Sequence, residues 1–284
     1  MTRFLYLLFL LPCALLGQPG TDIFLLEGLD LGEDPAYSSV KNLTNRDGYD
    51  NQPSFWDDQT LLFTSIRAYN QADIFKIDLS SGRSQQLTFT QESEYSPTPM
   101  SGGREFSVVR VEADGTQRLW AFPLAGGAPR MLLTKIKPVG YHVWLDDQTL
   151  GLFVLGEPHS LYSAKVGSGP GQKLVPSIGR GLQRSPEGQI TFIHKQSEST
   201  WSIQTIDHQG GESQSVAATL EGAEDFVWTK AGSLLMASGS TIYRYRPGGE
   251  GWQPIFDLAQ HQVSGITRLA ISPDESKLAV VSAR

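Results

Sequence analysis

The chain has one cysteine, Cys13, inside an apolar N-terminal run. The fold must therefore hold without a disulfide framework. Lys and Arg never form a run of four, and the net charge is −7. Nucleic-acid binding needs a positive stripe against phosphates, so DNA and RNA are excluded as partners. A polybasic membrane patch is excluded on the same ground. Helical periodicity is scarce. No window of about a dozen residues sustains a 3.6-residue apolar period. Leu258 to Val263 reads as one short turn bridging two repeats. No G-x-S-x-G nucleophile elbow occurs. Gly167-Ser168-Gly169-Pro170-Gly171 is rich in glycine, but a phosphate cradle needs a following helix, and this stretch reads as a turn between strands. The histidines show neither HxxxH nor HExxH spacing, so no local zinc motif is encoded. No cofactor is expected.

The N-terminus carries a different signal. Arg3 is the only charge before the apolar run Phe4 to Leu16. That run is too short to span a bilayer, and small Gly17 follows it. Residues 1–17 are expected to be a secretory leader, cleaved near Gly17-Gln18. A lipoprotein leader would place a small residue before Cys13, where Pro12 stands, so lipidation is the less favoured alternative. A periplasmic or secreted location follows, and the mature chain has no other segment of membrane-spanning length.

The rest of the chain repeats itself. Six segments share an apolar pair, a polar turn and an apolar strand. They include SFWDDQTLLFTS from Ser54, HVWLDDQTLGLFV from His142 and LAISPDESKLAVV from Leu269. The residues opening the strand after each turn are Thr60, Arg104, Thr149, Gln189, Ser233 and Lys277, spaced 40 to 45 apart. That period, with four strands per repeat, predicts the blades of a β-propeller. The last repeat stops after two strands, and the N-terminus supplies the other two. Asp22-Ile23-Phe24-Leu25-Leu26 matches Asp73-Ile74-Phe75-Lys76-Ile77, and Val40 to Thr44 matches Ser84 to Thr88. The prediction is all-β: a six-bladed propeller of four-stranded blades over residues 18–284, a single domain whose closing blade is shared between the two ends. We expect a monomer.

The repeats resemble those of TolB-like propellers, also described as WD-like repeats. The resemblance rests on Asn42-Leu43-Thr44 leading to Pro53-Ser54-Phe55-Trp56-Asp57-Asp58, and on Gln86-Leu87-Thr88 leading to Ser96-Pro97-Thr98-Pro99. Ser185-Pro186-Glu187-Gly188 and Ser272-Pro273-Asp274-Glu275 carry its turn. The resemblance covers residues 18–284 and implies the propeller fold. The α/β domain that precedes the TolB propeller has no counterpart in this reading, so membership of the Tol system is not implied. Nor does the peptidase domain found beside related propellers.

Residues recurring at one blade position read as architecture. Asp57-Asp58 and Asp146-Asp147 are turn formers, and Trp56, Trp144 and Trp228 fill space between blades. The loops entering each inner strand should ring one mouth of the central channel. They carry Tyr49, Asp50 and Asn51; Glu94 and Tyr95; Tyr141 and His142; Arg180 and Arg184; Glu224 and Asp225; and His261 with Arg268. Mixed charge with tyrosine suits a binding surface for a protein or peptide partner in the cell envelope. Two alternatives stay open. Convergence of Asp50, Asn51, Glu94 and Glu224 would favour a metal-dependent hydrolase or lactonase. An exposed platform of Tyr49, Tyr95 and Tyr141 would favour an envelope glycan binder.

Overall fold

The computed structural model describes residues 20–67 and 70–284. The segment read as a leader lies outside the described residues. The chain enters through β1 (Thr21–Glu27) and β2 (Ser39–Asn42). Blade 1 comprises β3 (Tyr49–Asp57), β4 (Thr60–Ile66), β5 (Ala72–Asp78) and β6 (Ser84–Gln86). Blade 2 comprises β7 (Ser93–Pro99), β8 (Glu105–Val111), β9 (Gln117–Pro123) and β10 (Arg130–Met131). Blade 3 comprises β11 (Val139–Trp144), β12 (Thr149–Val154), β13 (Ser160–Lys165) and β14 (Gln172–Pro176). Blade 4 comprises β15 (Ile178–Arg184), β16 (Ile190–Lys195), β17 (Trp201–Ile206) and β18 (Gln214–Ala218). Blade 5 comprises β19 (Phe226–Trp228), β20 (Leu234–Ser238), β21 (Thr241–Tyr245) and β22 (Gln253–Asp257). A 3-10 turn at Ala259–His261 then leads to β23 (Arg268–Ile271) and β24 (Lys277–Ala283). This turn lies within Leu258 to Val263, the stretch expected to bridge two blades.

Every blade is an antiparallel meander, and the closing blade runs β23-β24-β1-β2. β1 and β24 pair in register from Thr21↔Ala283 to Glu27↔Lys277, as the matching end fragments predicted. Apolar side chains close the ring. One buried cluster joins the closing blade to blade 1 through Ile23, Leu25, Phe55 and Phe75. Further clusters join blades 1 and 2, 2 and 3, 3 and 4, and 4 and 5. The sixth joins Val227 and Phe256 of blade 5 to Phe24 and Val280 of the closing blade. Both faces of a blade are therefore covered. In β5, Ile74 enters the blade 1–2 cluster while Phe75 and Ile77 enter the one behind.

The repeated Asp-Ile and Leu-Thr pairs have one physical role. The Thr88 hydroxyl accepts from the Ile74 amide at 2.9 Å, and the Thr44 hydroxyl accepts from the Ile23 amide at 3.1 Å. Each hydroxyl stands in for a ladder carbonyl where the outer strand ends. Each also faces the preceding aspartate: Thr44 donates to Asp22 at 3.1 Å and Thr88 to Asp73 at 3.5 Å. This is why β2 and β6 stop at Asn42 and Gln86, short of Thr44 and Thr88.

The aspartates of the DDQT turns act as expected. Asp57 accepts from the Gln59 amide at 2.8 Å, and Asp146 from the Gln148 amide at 2.8 Å. The tryptophans are not equivalent. Trp144 and Trp228 pack toward the preceding blade, donating to Ser107 and Thr191, each at 2.9 Å. Trp56 packs toward blade 2, because a register shift between Phe55 and Asp57 gives Phe55 the rearward position.

Thr88→Val keeps the shape of a buried side chain but orphans the Ile74 amide. We expect a loss of about 1–3 kcal/mol in urea denaturation, and Thr88→Ser is expected to recover most of it.

Candidate binding site at the channel mouth

The inner strands of blades 1 to 4 reach the mouth through register shifts, at Asn51/Ser54, Tyr95/Thr98, Val139/Tyr141 and Ile178/Leu182. Such irregularities re-aim side chains that a regular strand would point elsewhere. Gln52 and Ser96 occupy equivalent positions at φ 54° and 53°. The left-handed conformation costs each roughly 1 kcal/mol. It is offset by a bond between blades: Gln52 Oε1 accepts from the Ser96 amide and the Thr64 hydroxyl, each at 2.8 Å. In blade 4 the close approach needs glycine. A Cβ on Gly181 would lie 2.6 Å from the Glu224 carbonyl oxygen.

Tyr49, Tyr95, Tyr141, Arg180 and Arg268 line one cavity of about 510 Å³, with Asn51, Gln52 and Gln117 beside them. Arg268 comes from the closing blade, Tyr141 from blade 3 on the opposite side of the ring. The Arg268 Nη2 donates to the Tyr141 hydroxyl at 3.0 Å, and its guanidinium lies 4.9 Å from that ring's centre. Its Nη1 faces Asp225 at 3.4 Å. This contact joins opposite blades across the channel, and both residues line the cavity. Burial works against the Arg268 charge, but Tyr141 and Asp225 outweigh it and hold the pKa above its ordinary value. Burial pushes the Tyr49 hydroxyl up to about 12, so it stays a neutral donor.

Arg180 is differently placed. Its Nη2 donates to the Thr267 carbonyl at 3.1 Å, and its backbone amide donates to Glu224 at 3.1 Å. Glu224 is ion-paired with Lys195 and Asp225 with Arg268. Burial raises the Glu224 pKa, but Lys195 and the Arg180 amide prevail and hold it below the usual range. Among the described residues Arg180 makes no ion pair, and its buried Nε has no partner.

The expectation that all the loop residues ring the mouth holds only in part. Tyr49, Asn51, Tyr95, Tyr141, Arg180 and Arg268 line the cavity, and Glu224 and Asp225 line a smaller neighbouring one that shares Arg180, Thr267 and Arg268 with it. Asp50, Glu94 and His142 do not face it. Each neighbours a mouth tyrosine, and successive strand residues point to opposite faces. Asp50 is fully buried, accepting from Ser65 at 2.5 Å and Arg46 at 2.9 Å. Glu94 is also fully buried and accepts from Thr90 at 2.5 Å, with Arg110 at 3.7 Å.

His142 lies between blades 2 and 3, its Nε2 2.6 Å from the Ser107 hydroxyl. That hydroxyl also receives the Trp144 indole N–H and faces the Thr98 carbonyl. Every donor is satisfied when the proton sits on Nε2 and Ser107 donates to Thr98. Burial pushes the imidazole down to about 3, so it is neutral.

Arg184 lies at the far end of the channel, where β15 ends, in a groove with Trp228 and Lys230. His261 lies at the seam of the closing blade, 3.1 Å from the Tyr37 hydroxyl. Gln52 and Gln117 line the mouth without having been singled out. Gln117 begins a third strand, and loops joining second to third strands face the same end as those entering the inner strands.

No protein-family model matches the chain, and no curated protein sequence matches it. Solved structures do. A protein described as TolB from Agrobacterium tumefaciens superposes with a TM-score of 0.74 at 15% identity, covering 94% of this chain and 99% of that one. A chain of a nidogen/laminin complex gives a TM-score of 0.66 at 12% identity, covering 88% and 98%. A gluconolactonase from Xanthomonas campestris gives 0.65 at 11% identity, covering 91% and 95%. At these identities the likeness concerns the fold, and the chain has the fold of a TolB-like six-bladed propeller.

Burial pushes the Glu94 carboxyl up to about 7, outweighing Thr90 and Arg110. Between the ordinary glutamate value and about 7, the folded chain holds a proton that the unfolded chain has lost. Stability therefore falls as pH rises through that window. His142 acts in the opposite sense between about 3 and its ordinary value, so wild type alone does not isolate either group. The stability of Glu94→Gln relative to wild type is expected to rise between pH 5 and 8, by on the order of 1–3 kcal/mol. Urea denaturation at several pH values reads this, and a flat difference would mean that Glu94 does not change protonation in the window.

Proposed function

We propose that the protein is an exported, non-catalytic binding module that holds a peptide segment of a partner protein at the channel mouth. The convergence of three tyrosines with Arg180 in one cavity carries this reading. The pocket offers hydroxyl and guanidinium donors beside the contact of Arg268 with Tyr141. The ring of Tyr141 is less available. Tyr141 has Arg268 over one face and its edge on Phe153, with ring centres 5.6 Å apart. That favours hydrogen bonding to a polypeptide over the stacking expected of a glycan platform.

The hydrolase reading has a fold precedent in the gluconolactonase. It requires Asp50, Asn51, Glu94 and Glu224 to converge on one point. Asp50, Glu94 and Glu224 are instead engaged by Arg46, Arg110 and Lys195. The nidogen/laminin complex is a precedent for a propeller of this shape in a protein–protein assembly.

A photo-crosslinking residue at Gln117 is expected to yield adducts with envelope protein. The same residue at Arg184, at the opposite end, is expected to yield none. Equal adducts at both ends would count against the mouth. Export is tested separately. Protein produced with its own leader in a Gram-negative host is expected to begin at or near Gln18. Intact Met1 on soluble cytoplasmic protein would refute it.

A further inference from the structure

Among the described residues, five charged groups lie on the blade 4 side of the mouth: Arg180, Lys195, Arg268, Glu224 and Asp225. Lys195 is paired with Glu224 and Arg268 with Asp225. One positive charge, on Arg180, is left over. A guanidinium has five donor hydrogens in a planar fork. The Arg180 side chain spends one on the Thr267 carbonyl. Glu224 and Asp225 lie near enough to feel its charge, but neither contacts the guanidinium: Glu224 accepts from the Arg180 backbone amide, and Asp225 from Arg268 and the Leu269 amide. A guanidinium with unfilled donors and no direct carboxylate contact at a half-buried cavity is a ready partner for an anion.

We infer that Arg180 is the receptor for a carboxylate of the bound peptide, either its C-terminus or an acidic side chain. The inference rests on the peptide reading above and adds the chemistry of recognition. A carboxylate matches the guanidinium fork and accepts charge-assisted hydrogen bonds. Tyr49 lines the same cavity as Arg180 and can donate its hydroxyl to an anion held there. Arg268 is ill suited to this task, because Asp225 and Tyr141 already occupy it.

The test uses the purified protein and two pools of short random peptides, one with free C-terminal carboxylates and one amidated, with captured peptides read by mass spectrometry. Enrichment of the free pool over the amidated pool by about tenfold or more would assign the carboxylate to the C-terminus. Capture from both pools, with Asp or Glu enriched, would assign it to a side chain. In either case Arg180→Ala is expected to abolish the carboxylate preference and Arg180→Lys to retain part of it, with melting temperatures close to wild type. Capture indifferent to carboxylates, or unchanged in Arg180→Ala, would overturn the inference and leave the peptide reading standing. Capture of neither pool would overturn both.

Discussion

The antiparallel ladder between β1 and β24 holds this molecule in a closed ring. A blade has two apolar faces, and neither can be left to water. Ile74 and Phe75 are adjacent residues of one strand, yet both are buried, in different clusters. Each blade is therefore stable only between two neighbours. If β1 left the closing blade, the faces of blades 1 and 5 would lose their covers. Burial of apolar area supplies the driving force, but the seam determines whether all six interfaces exist together.

Closure also sets where charge can sit. Six inner strands converge on one axis, so their side chains compete for little space. Acidic residues beside the mouth tyrosines turn away into blade interfaces, where Arg46 and Arg110 meet them. Asp225 and Arg268 form a pair that reaches across the channel to Tyr141. These contacts fix the mouth from several blades at once. They leave a preformed cavity lined by tyrosine hydroxyls, side-chain amides and the partly engaged Arg180 guanidinium, a composition suited to recognition of polar ligands.

Much of the fold was legible because its signals are local and repeat. The turn formers, the Asp-Ile and Leu-Thr pairs and the two half-blades at the ends all recur at a blade's period. Each has a local cause, such as the Thr44 and Thr88 hydroxyls completing a ladder. The site was legible only in part. Loop membership located the tyrosines, Arg180 and Arg268. It could not separate Tyr49 from Asp50 or Tyr141 from His142, because facing depends on pleat and register shifts. Gln117 carried no such signal, because it begins a third strand and not an inner one. Loop membership grouped Arg180 with Arg184, although β15 carries them to opposite ends of the channel.

The amino-acid sequence by itself determined the blade count, the strand order and the sharing of the closing blade, since each follows from short-range patterns repeated around a ring. Tertiary structure alone decided which loop residues share a cavity, which carboxylates are consumed by arginines, and that Arg180 keeps its charge unpaired. Those facts depend on side chains from all six blades meeting around one axis. Their separation along the chain carries no trace of that meeting, because convergence comes from closing the ring and not from any local preference.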